Sequence, residues 1–384
     1  MTRIDLPLLR TSERKDFKRC PQRWWWAWRD GLRPVRQKHG ALWFGTGIHL
    51  ALEKWYVPGT ERGEDPVKTW REFVGEQVEF IKVQIAEGEA PEGAETVWME
   101  AGELGEAMLK NMLDEYGLDE EWEVIGAEVP FQVVIPHPET KEPLILYAGT
   151  FDLVARHIPT RKVYLWDHKT AKSIQTGHLP LDDQAGSYWA LATFVLRNLG
   201  LISKKERIHG IVYNFVMKAP RDDRPRNSDG LYCNQPKKEH YVAALTDHFS
   251  VLPSAYPATD SEFWSKKTLA ELKEISGDAG LIVLGEPAKT QPAKRFKRVI
   301  VERTQHERKT QIERIGAEAL VMDMFRDGTL PLIKNPTKDC QWDCDFRELC
   351  ELDEQGGDTE EYISVVFKQE DPYAAHRLHE GNED

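Results

Sequence analysis

The chain of 384 residues carries 51 Lys and Arg against 64 Asp and Glu, a formal net charge of −13. That balance excludes blanket electrostatic attraction to a polyanion and leaves only a local basic surface for one. No apolar run approaches the length of a membrane span, and the opening MTRIDLPLLRTSERKDF holds no apolar signal segment. A soluble protein in a reducing cytoplasm is therefore expected, with its five cysteines free or metal-bound rather than in disulfides. The length suffices to bury a sizeable core and to hold two domains.

Residues 1–60 form the first segment. Its first forty residues hold eleven Lys or Arg against four acids, interleaved with Trp24, Trp25, Trp26 and Trp28. Indoles among basic residues either stack on unpaired bases or pack a structural shell, here beside Cys20. GTGIHLALEKWY (45–56) reads as a helix, and Glu53 follows His49 by four residues, on the same face. Residues 61–121 read as an acidic helical insertion of two amphipathic runs, PVKTWREFVGEQVEFIKVQIAEG and ETVWMEAGELGEAMLKNMLDEY. Such a lobe would cover one side of a site.

Residues 122–218 carry the chemistry. WEVIGAEVPFQVVI, PLILYAGTFDLVAR and KVYLWDHKT are rich in strand formers. Alternation in the third puts Asp167 and Lys169 on one face and His168 on the other. With Asp152 opposite them, two carboxylates and an ammonium converge on one spot. Such a pair of acids suits a hard divalent cation, Mg²⁺ above all, and the lysine can orient water or offset charge on a phosphate. That is the equipment of metal-assisted phosphodiester hydrolysis. After Pro180 comes a helix, LDDQAGSYWALATFVLRNLG, closed at Gly200, in which Gln184 and Tyr188 share a face. RIHGIVYNFVMKA adds a fourth strand. The β-β-β-α-β order predicts an α/β fold with a mixed sheet flanked by helices.

Residues 219–330 begin with APRDDRPRNSDG, expected to be a mobile loop that closes over substrate. SEFWSKKTLAELKEI follows as a helical stretch. A basic run, Lys294, Arg295, Lys297, Arg298, Arg303, Arg308 and Lys309, then enters a helix over 310–325 whose buried face is marked by Ile312, Ile315, Ala319 and Met322. Those bases either contact phosphates or dress a solvated helix entrance. Residues 331–384 hold CQWDCDFRELC, with Cys340, Cys344 and Cys350, and an acidic tail in which His376 and His379 read as solvated. With Cys20 these make four thiolates, a set that suits a cubane iron–sulfur cluster or a tetrahedral zinc. Cys233 has no cysteine neighbour and reads as a free thiol.

The ordered series GTGIHLALEKWY (45–56), GAEVPF (126–131), GTFDLV (149–154), WDHKT (166–170) and QAGSYWA (184–190) resembles the RecB-like branch of the PD-(D/E)XK nucleases. That branch includes nuclease domains of recombination helicases and CRISPR-associated exonucleases, and the stand-alone organisation is also that of phage exonucleases. The resemblance implies a restriction-endonuclease-like core. It implies metal ligation (Mg²⁺ or Mn²⁺) by His49, Asp152, Asp167 and the carbonyl of His168, and a catalytic role for Lys169. It further implies site roles for Gln184, Tyr188 and Glu128. Cys20, Cys340, Cys344 and Cys350 would then bind a [4Fe–4S] cluster that staples the two ends of the chain. The first gap holds three residues, Gln341, Trp342 and Asp343, where two are more usual. The implied activity is a metal-dependent DNA exonuclease on single-stranded ends, in recombination, repair or phage DNA processing. The alternatives are a flap- or branch-specific endonuclease and a non-catalytic iron–sulfur DNA-binding partner. No G-x-x-x-x-G-K-[ST] loop appears, so unwinding would fall to a separate helicase or recombination partner.

Overall fold

The computed structural model describes residues 6–35, 41–220, 222, 224–250, 260–292 and 295–374. Of the basic residues singled out above, Arg3, Arg36, Lys38 and Lys294 lie outside these, as do His376 and His379, and the loop over 219–230 is described only in part. Two compact units are present, residues 1–219 with 296–384, and residues 220–295.

The larger unit starts with a short strand, Leu8–Arg10 (β1), and the helices Thr11–Arg19 (α1) and Pro21–Trp24 (α2). Pro21 opens α2, where its missing N–H and fixed φ cost nothing. A π-helical turn, Trp25–Arg29, follows. The indoles here are packing, not a stacking platform. Trp24, Trp26 and Trp28 are buried, and Trp24 and Trp28 donate to Glu13 Oε1 (3.0 Å) and Asp16 Oδ2 (2.9 Å). Several of the nearby cations are also spent internally. Arg14 is fully buried against Asp183 and Glu318, and Arg19 and Arg23 pair with Asp343. The basic surface expected at the N-terminus is reduced accordingly.

Leu32–Pro34 (β2) precedes three long helices, Ala41–Trp55 (α3), Pro66–Ala86 (α4) and Ala94–Tyr116 (α5). Asp65 caps α4 by accepting from Val67 N (2.9 Å). Ile48, Leu52 and Tyr56 from the α3 segment, Trp70 from α4 and Met108 and Leu109 from α5 share one hydrophobic core with Leu153, Trp166 and Val212 of the sheet. Helical periodicity made these helices visible in advance, and the same periodicity buries them on one face of the sheet.

That sheet consists of β1 with Trp122–Pro136 (β3), Pro143–His157 (β4), Lys162–Ala171 (β5), Ile208–Met217 (β6) and Phe296–Glu302 (β7). Between β5 and β6 runs the helix Asp183–Asn198 (α6). β3 and β4 pair antiparallel from Trp122↔His157 to Pro136↔Pro143. The other edge of β4 is shared: β1 lies parallel to it at Leu146–Ala148, and β5 antiparallel to it at Leu153–His157. Residues 149–152 fall between these two ladders. β5 continues alone with β6, in parallel, as far as Ala171↔Met217, and β6 pairs antiparallel with β7. The sheet is thus mixed, and a mixed α/β core flanked by helices is what the strand–helix order predicted.

The smaller unit carries Lys238–Ser250 (α7), Ser261–Ser265 (α8) and Leu269–Asp278 (α9) around Leu245, Trp264 and Leu272. Cys233 is buried there, its Sγ 3.6 Å from the Leu231 carbonyl. The stretch 219–330 therefore divides. β7 and the helix Gln305–Arg326 (α10) belong to the larger unit, and Thr304 closes a capping box with Glu307 at the start of α10. Arg298 of the basic run is no phosphate contact. It forks onto Asp119 (2.5 and 2.6 Å) between the rings of Tyr116 and Trp166. The C-terminal part contributes Cys340–Asp343 (α11), Arg347–Glu354 (α12), Thr359–Val366 (α13) and Phe367–Gln369 (β8), and β8 pairs antiparallel with β2. No helix among the described residues is long and apolar enough to cross a membrane.

Candidate metal and catalytic site

The place where β4 and β5 part is where the acids gather. Beyond Leu153↔Trp166 the two strands no longer pair, and the backbone N–H of His168 donates instead to Asp152 Oδ2 (3.0 Å). The carboxylate thus takes the role that the next carbonyl of the ladder would have had. On the other side of β4 the ladder pairs Ala127 with Leu153 and Val129 with Phe151, which sets Glu128 abreast of Asp152. Glu128 sits there at φ +43°, a left-handed conformation that costs a non-glycine residue about 1–2 kcal/mol. Strain of this kind in a strand is sustained where the surrounding structure requires the side chain's direction. Here the Glu128 carboxylate meets His49 Nδ1 at 3.2 Å, and Asp152 Oδ2 lies 3.8 Å from the same nitrogen.

His49, Glu128 and Asp152 offer ligand atoms that all lie within 4.8 Å of one another, and they form the one such group among the described residues. Two carboxylates and an imidazole make an oxygen-rich set suited to Mg²⁺ or Mn²⁺. The electrostatics suit a cation. Burial and the neighbouring Asp167 push Asp152 up to about 7, against the backbone hydrogen bond and His49 that work to lower it. Burial works to lower the pKa of His49, but the hydrogen bond to Glu128 and the charge of Asp152 outweigh it and raise it. Both raised values mark a set whose acids positive charge would compensate.

Asp167 occupies the other flank. Its Oδ2 lies 2.9 Å from Lys169 Nζ, and burial raises its pKa despite that lysine. Burial alone would depress Lys169, yet Asp167 holds it above the ordinary lysine range, so it is an ammonium at neutral pH. Asp182 caps α6 by accepting from Ala185 N (3.2 Å) and adds its charge to both groups. This fourth acid was missed in the sequence. An Asp before a helix reads as an N-cap, and only the sheet brings it to Asp167.

Gln184 and Tyr188 line one small cavity with Asp152 and Asp167. Tyr188 packs edge-on against Phe131 and Phe151. A Cβ at Gly149 would come within 2.8 Å of the Tyr188 ring, so only glycine lets this tyrosine reach the strand gap. The His168 side chain faces the other way, as alternation requires. It is buried, stacks on Tyr56, and its Nδ1 meets Asn214 Nδ2 at 3.0 Å. Arg298 Nε binds Asn214 Oδ1 (3.2 Å), which orients the amide so that His168 Nδ1 accepts and its proton sits on Nε2. Burial keeps this imidazole neutral, far below its ordinary pKa. The chain Tyr56–Asp119–Arg298–Asn214–His168 therefore anchors the residue whose N–H holds Asp152. Glu53 is exposed, and His49 is engaged by Glu128 and Asp152.

No three of the cysteine sulfurs lie within 4.8 Å of one another. Tetrahedral zinc at 2.3 Å would need its sulfurs about 3.8 Å apart. Yet Cys20, Cys340, Cys344 and Cys350 all line one cavity of about 640 Å³. The backbone N–H groups of Asn335 and Thr337 point at Cys20 Sγ and Cys340 Sγ, each at 3.4 Å. Burial raises Cys344 and Cys350 from the ordinary thiol pKa, and the neighbouring thiols add to it.

The Asp152 environment makes the stability of the fold depend on pH. Its pKa is raised from 3.8 to about 7 in the folded chain. The folded state therefore binds more protons than the unfolded state between those values, and stability falls as pH rises through that window. Asp152→Asn removes the loss and keeps an oxygen for the His168 N–H. Without divalent metal, this variant is expected to melt higher than the parent above pH 7, by roughly 2–5 °C. At pH 4 the difference should vanish. Thermal denaturation at the two pH values checks this, and an unchanged melting temperature at pH 8 would contradict the charge assignment.

A model of the PD-(D/E)XK nuclease superfamily matches residues 11–351, and the chain belongs to that superfamily. Members of this superfamily are generally metal-dependent nucleases, and His49, Glu128 and Asp152 are the group among the described residues that can hold a metal. No curated protein matches the chain.

Proposed function

We propose that this PD-(D/E)XK nuclease is an exonuclease that hydrolyses phosphodiester bonds from single-stranded DNA ends, with a cluster bound by Cys20, Cys340, Cys344 and Cys350 joining the ends of its chain. The observation that carries the reading is the convergence of His49, Glu128 and Asp152 at the strand gap, next to the Asp167–Lys169 pair. His49, Glu128, Asp152, Asp167 and the His168 carbonyl are the residues that would hold Mg²⁺ or Mn²⁺. A divalent ion there supplies charge to a phosphate and acidity to water. Lys169, held as an ammonium, cannot accept a proton. Its role is to donate to the attacking water or a phosphate oxygen and to offset the charge that builds in the transition state. Gln184 and Tyr188 stand on α6 where they can orient the same water or phosphate. The four cysteines, of which one precedes the core and three follow it, suit a [4Fe–4S] cluster that cross-links the ends.

The test uses single strands labelled separately at each end, with a circular strand beside them, Mn²⁺ or Mg²⁺, and Lys169→Ala as control. Metal-dependent release from the linear strands alone, absent in the variant, supports an exonuclease, and the label lost first gives its polarity. Cleavage of the circle, or of flaps ahead of ends, would replace that reading by an endonuclease. No cleavage of any substrate would leave a DNA-binding partner.

A further inference from the structure

A second site is built on the opposite end of β5 from the acids. Lys162 opens β5, and Asp167 lies five residues further, about 16 Å along the strand. Around Lys162, the start of β6, the end of β7 and the first turn of α10 enclose a cavity of about 300 Å³. Its cations are Lys162, Arg207, Arg303 and Arg308, and its acid is Glu302. Glu302 is already engaged by Lys162 (2.7 Å) and the Tyr164 hydroxyl (3.1 Å). No carboxylate among the described residues pairs with Arg207, Arg303 or Arg308. Arg303 spends Nη2 on the carbonyls of Leu179 and Asp182, and Arg308 lies over Trp189 with Nη2 on Thr193. The Nε atoms of both are shielded from solvent without a partner. Burial lowers the pKa of Arg308, and the guanidiniums of Arg207 and Arg197 lower it further.

We propose that this cavity is a phosphate-binding site separate from the catalytic centre, taking the phosphate of a nucleotide or of a nucleic-acid strand. Guanidiniums without a paired carboxylate gathered around one cavity repel one another, although the charge of Glu307 also acts on Arg303, and an anion would complete the set. Their forked donors match the oxygens of a phosphate better than they match a point charge. α10 adds its N-terminal dipole, since Gln305 of its first turn lines the cavity. The volume is that of a small-ligand pocket and admits one nucleotide. A second cavity of about 320 Å³ shares Gln305 and Arg308, and there Lys309 is paired with Glu313 (3.7 Å).

The proposal stands without the catalytic reading, because binding is measured with no divalent metal added. Inorganic phosphate, thymidine 5′-monophosphate and an eight-residue oligothymidylate are titrated into the full-length chain by calorimetry. The parent, Arg207→Gln and Arg308→Gln are compared. Arg207 is exposed, so its variant keeps the fold even if Arg308→Gln does not. At least one probe is expected to bind, about tenfold weaker in Arg207→Gln. If the oligonucleotide displaces phosphate, the site serves a strand. If only phosphate and the mononucleotide bind, it serves a free nucleotide. Absence of binding by all three probes at millimolar concentration, or affinity unaltered in Arg207→Gln, overturns the site.

Discussion

Replacing Lys169 by alanine is expected to slow cleavage of a labelled single strand by about 10²–10⁴-fold, the range for loss of a positioned proton donor. Metal affinity should not fall with it. Lys169 Nζ lies 2.9 Å from Asp167 Oδ2, and both groups carry raised pKa values. Removing the ammonium leaves Asp167 more electron-rich and free to face a cation, so Mn²⁺ should bind as tightly as before or tighter. Asp152→Ala behaves differently. It takes away the carboxylate that bridges His49 and the His168 N–H, so binding and cleavage should be lost together. Calorimetric Mn²⁺ titration beside single-turnover cleavage separates the two cases. A Lys169→Ala protein that keeps more than about a tenth of the parent rate would remove the lysine from the chemistry. So would loss of cleavage accompanied by loss of metal binding, since the lysine would then act only through the ligands.

The elements that carry this site were legible because their patterns are local. Asp167, His168 and Lys169 alternate in a run of strand formers, and the structure puts Lys169 beside Asp167 and turns His168 away. The Gly149–Asp152 run could be read as a strand, but not as the gap between two ladders. That gap depends on β1, three residues long and paired 138 positions away (Leu8↔Leu146), too short for any periodicity to register. β7 was equally hidden, because Lys297 and Arg298 made its alternation look like the entrance to a helix. Arg298 is tolerated in the sheet because Asp119 and two aromatic rings from distant segments close around it. Glu128 could be named as an acid on a core strand, whereas its positive φ and its contact with His49 arise only when α3 docks beside the sheet. The tryptophans gave an ambiguous signal for the same reason. An indole beside arginines suits a base or a core, and Glu13, itself fully buried, decides for the core by accepting from Trp24.

Cys20→Ser is the second variant with a large expected effect, and it should act on stability and iron content. The anaerobically purified parent is expected to be brown with stoichiometric iron, and the serine variant colourless. The cluster would tie position 20 to positions 340, 344 and 350, closing most of the chain into one loop. By analogy with a covalent cross-link, this restriction of the unfolded chain contributes on the order of 2–5 kcal/mol. For a chain of this size that corresponds to a melting temperature lower by roughly 3–6 °C in the variant. The fold itself should survive, because other contacts also join the ends. β2 pairs with β8, Trp26 packs on Phe346, Gln22 N donates to the Ile333 carbonyl (3.2 Å), and Arg23 reaches the Asp343 carbonyl (2.6 Å). Those contacts explain why the two ends can meet before any cluster forms, so assembly would lock an arrangement already present rather than create it. A Cys20→Ser protein with full iron content and an unchanged melting temperature would sink the staple. Zinc in place of iron in the parent would keep the cross-link and change its chemistry. The spacing argues against that outcome, because no three of the sulfurs lie within 4.8 Å of one another, whereas a single tetrahedral ion needs them about 3.8 Å apart.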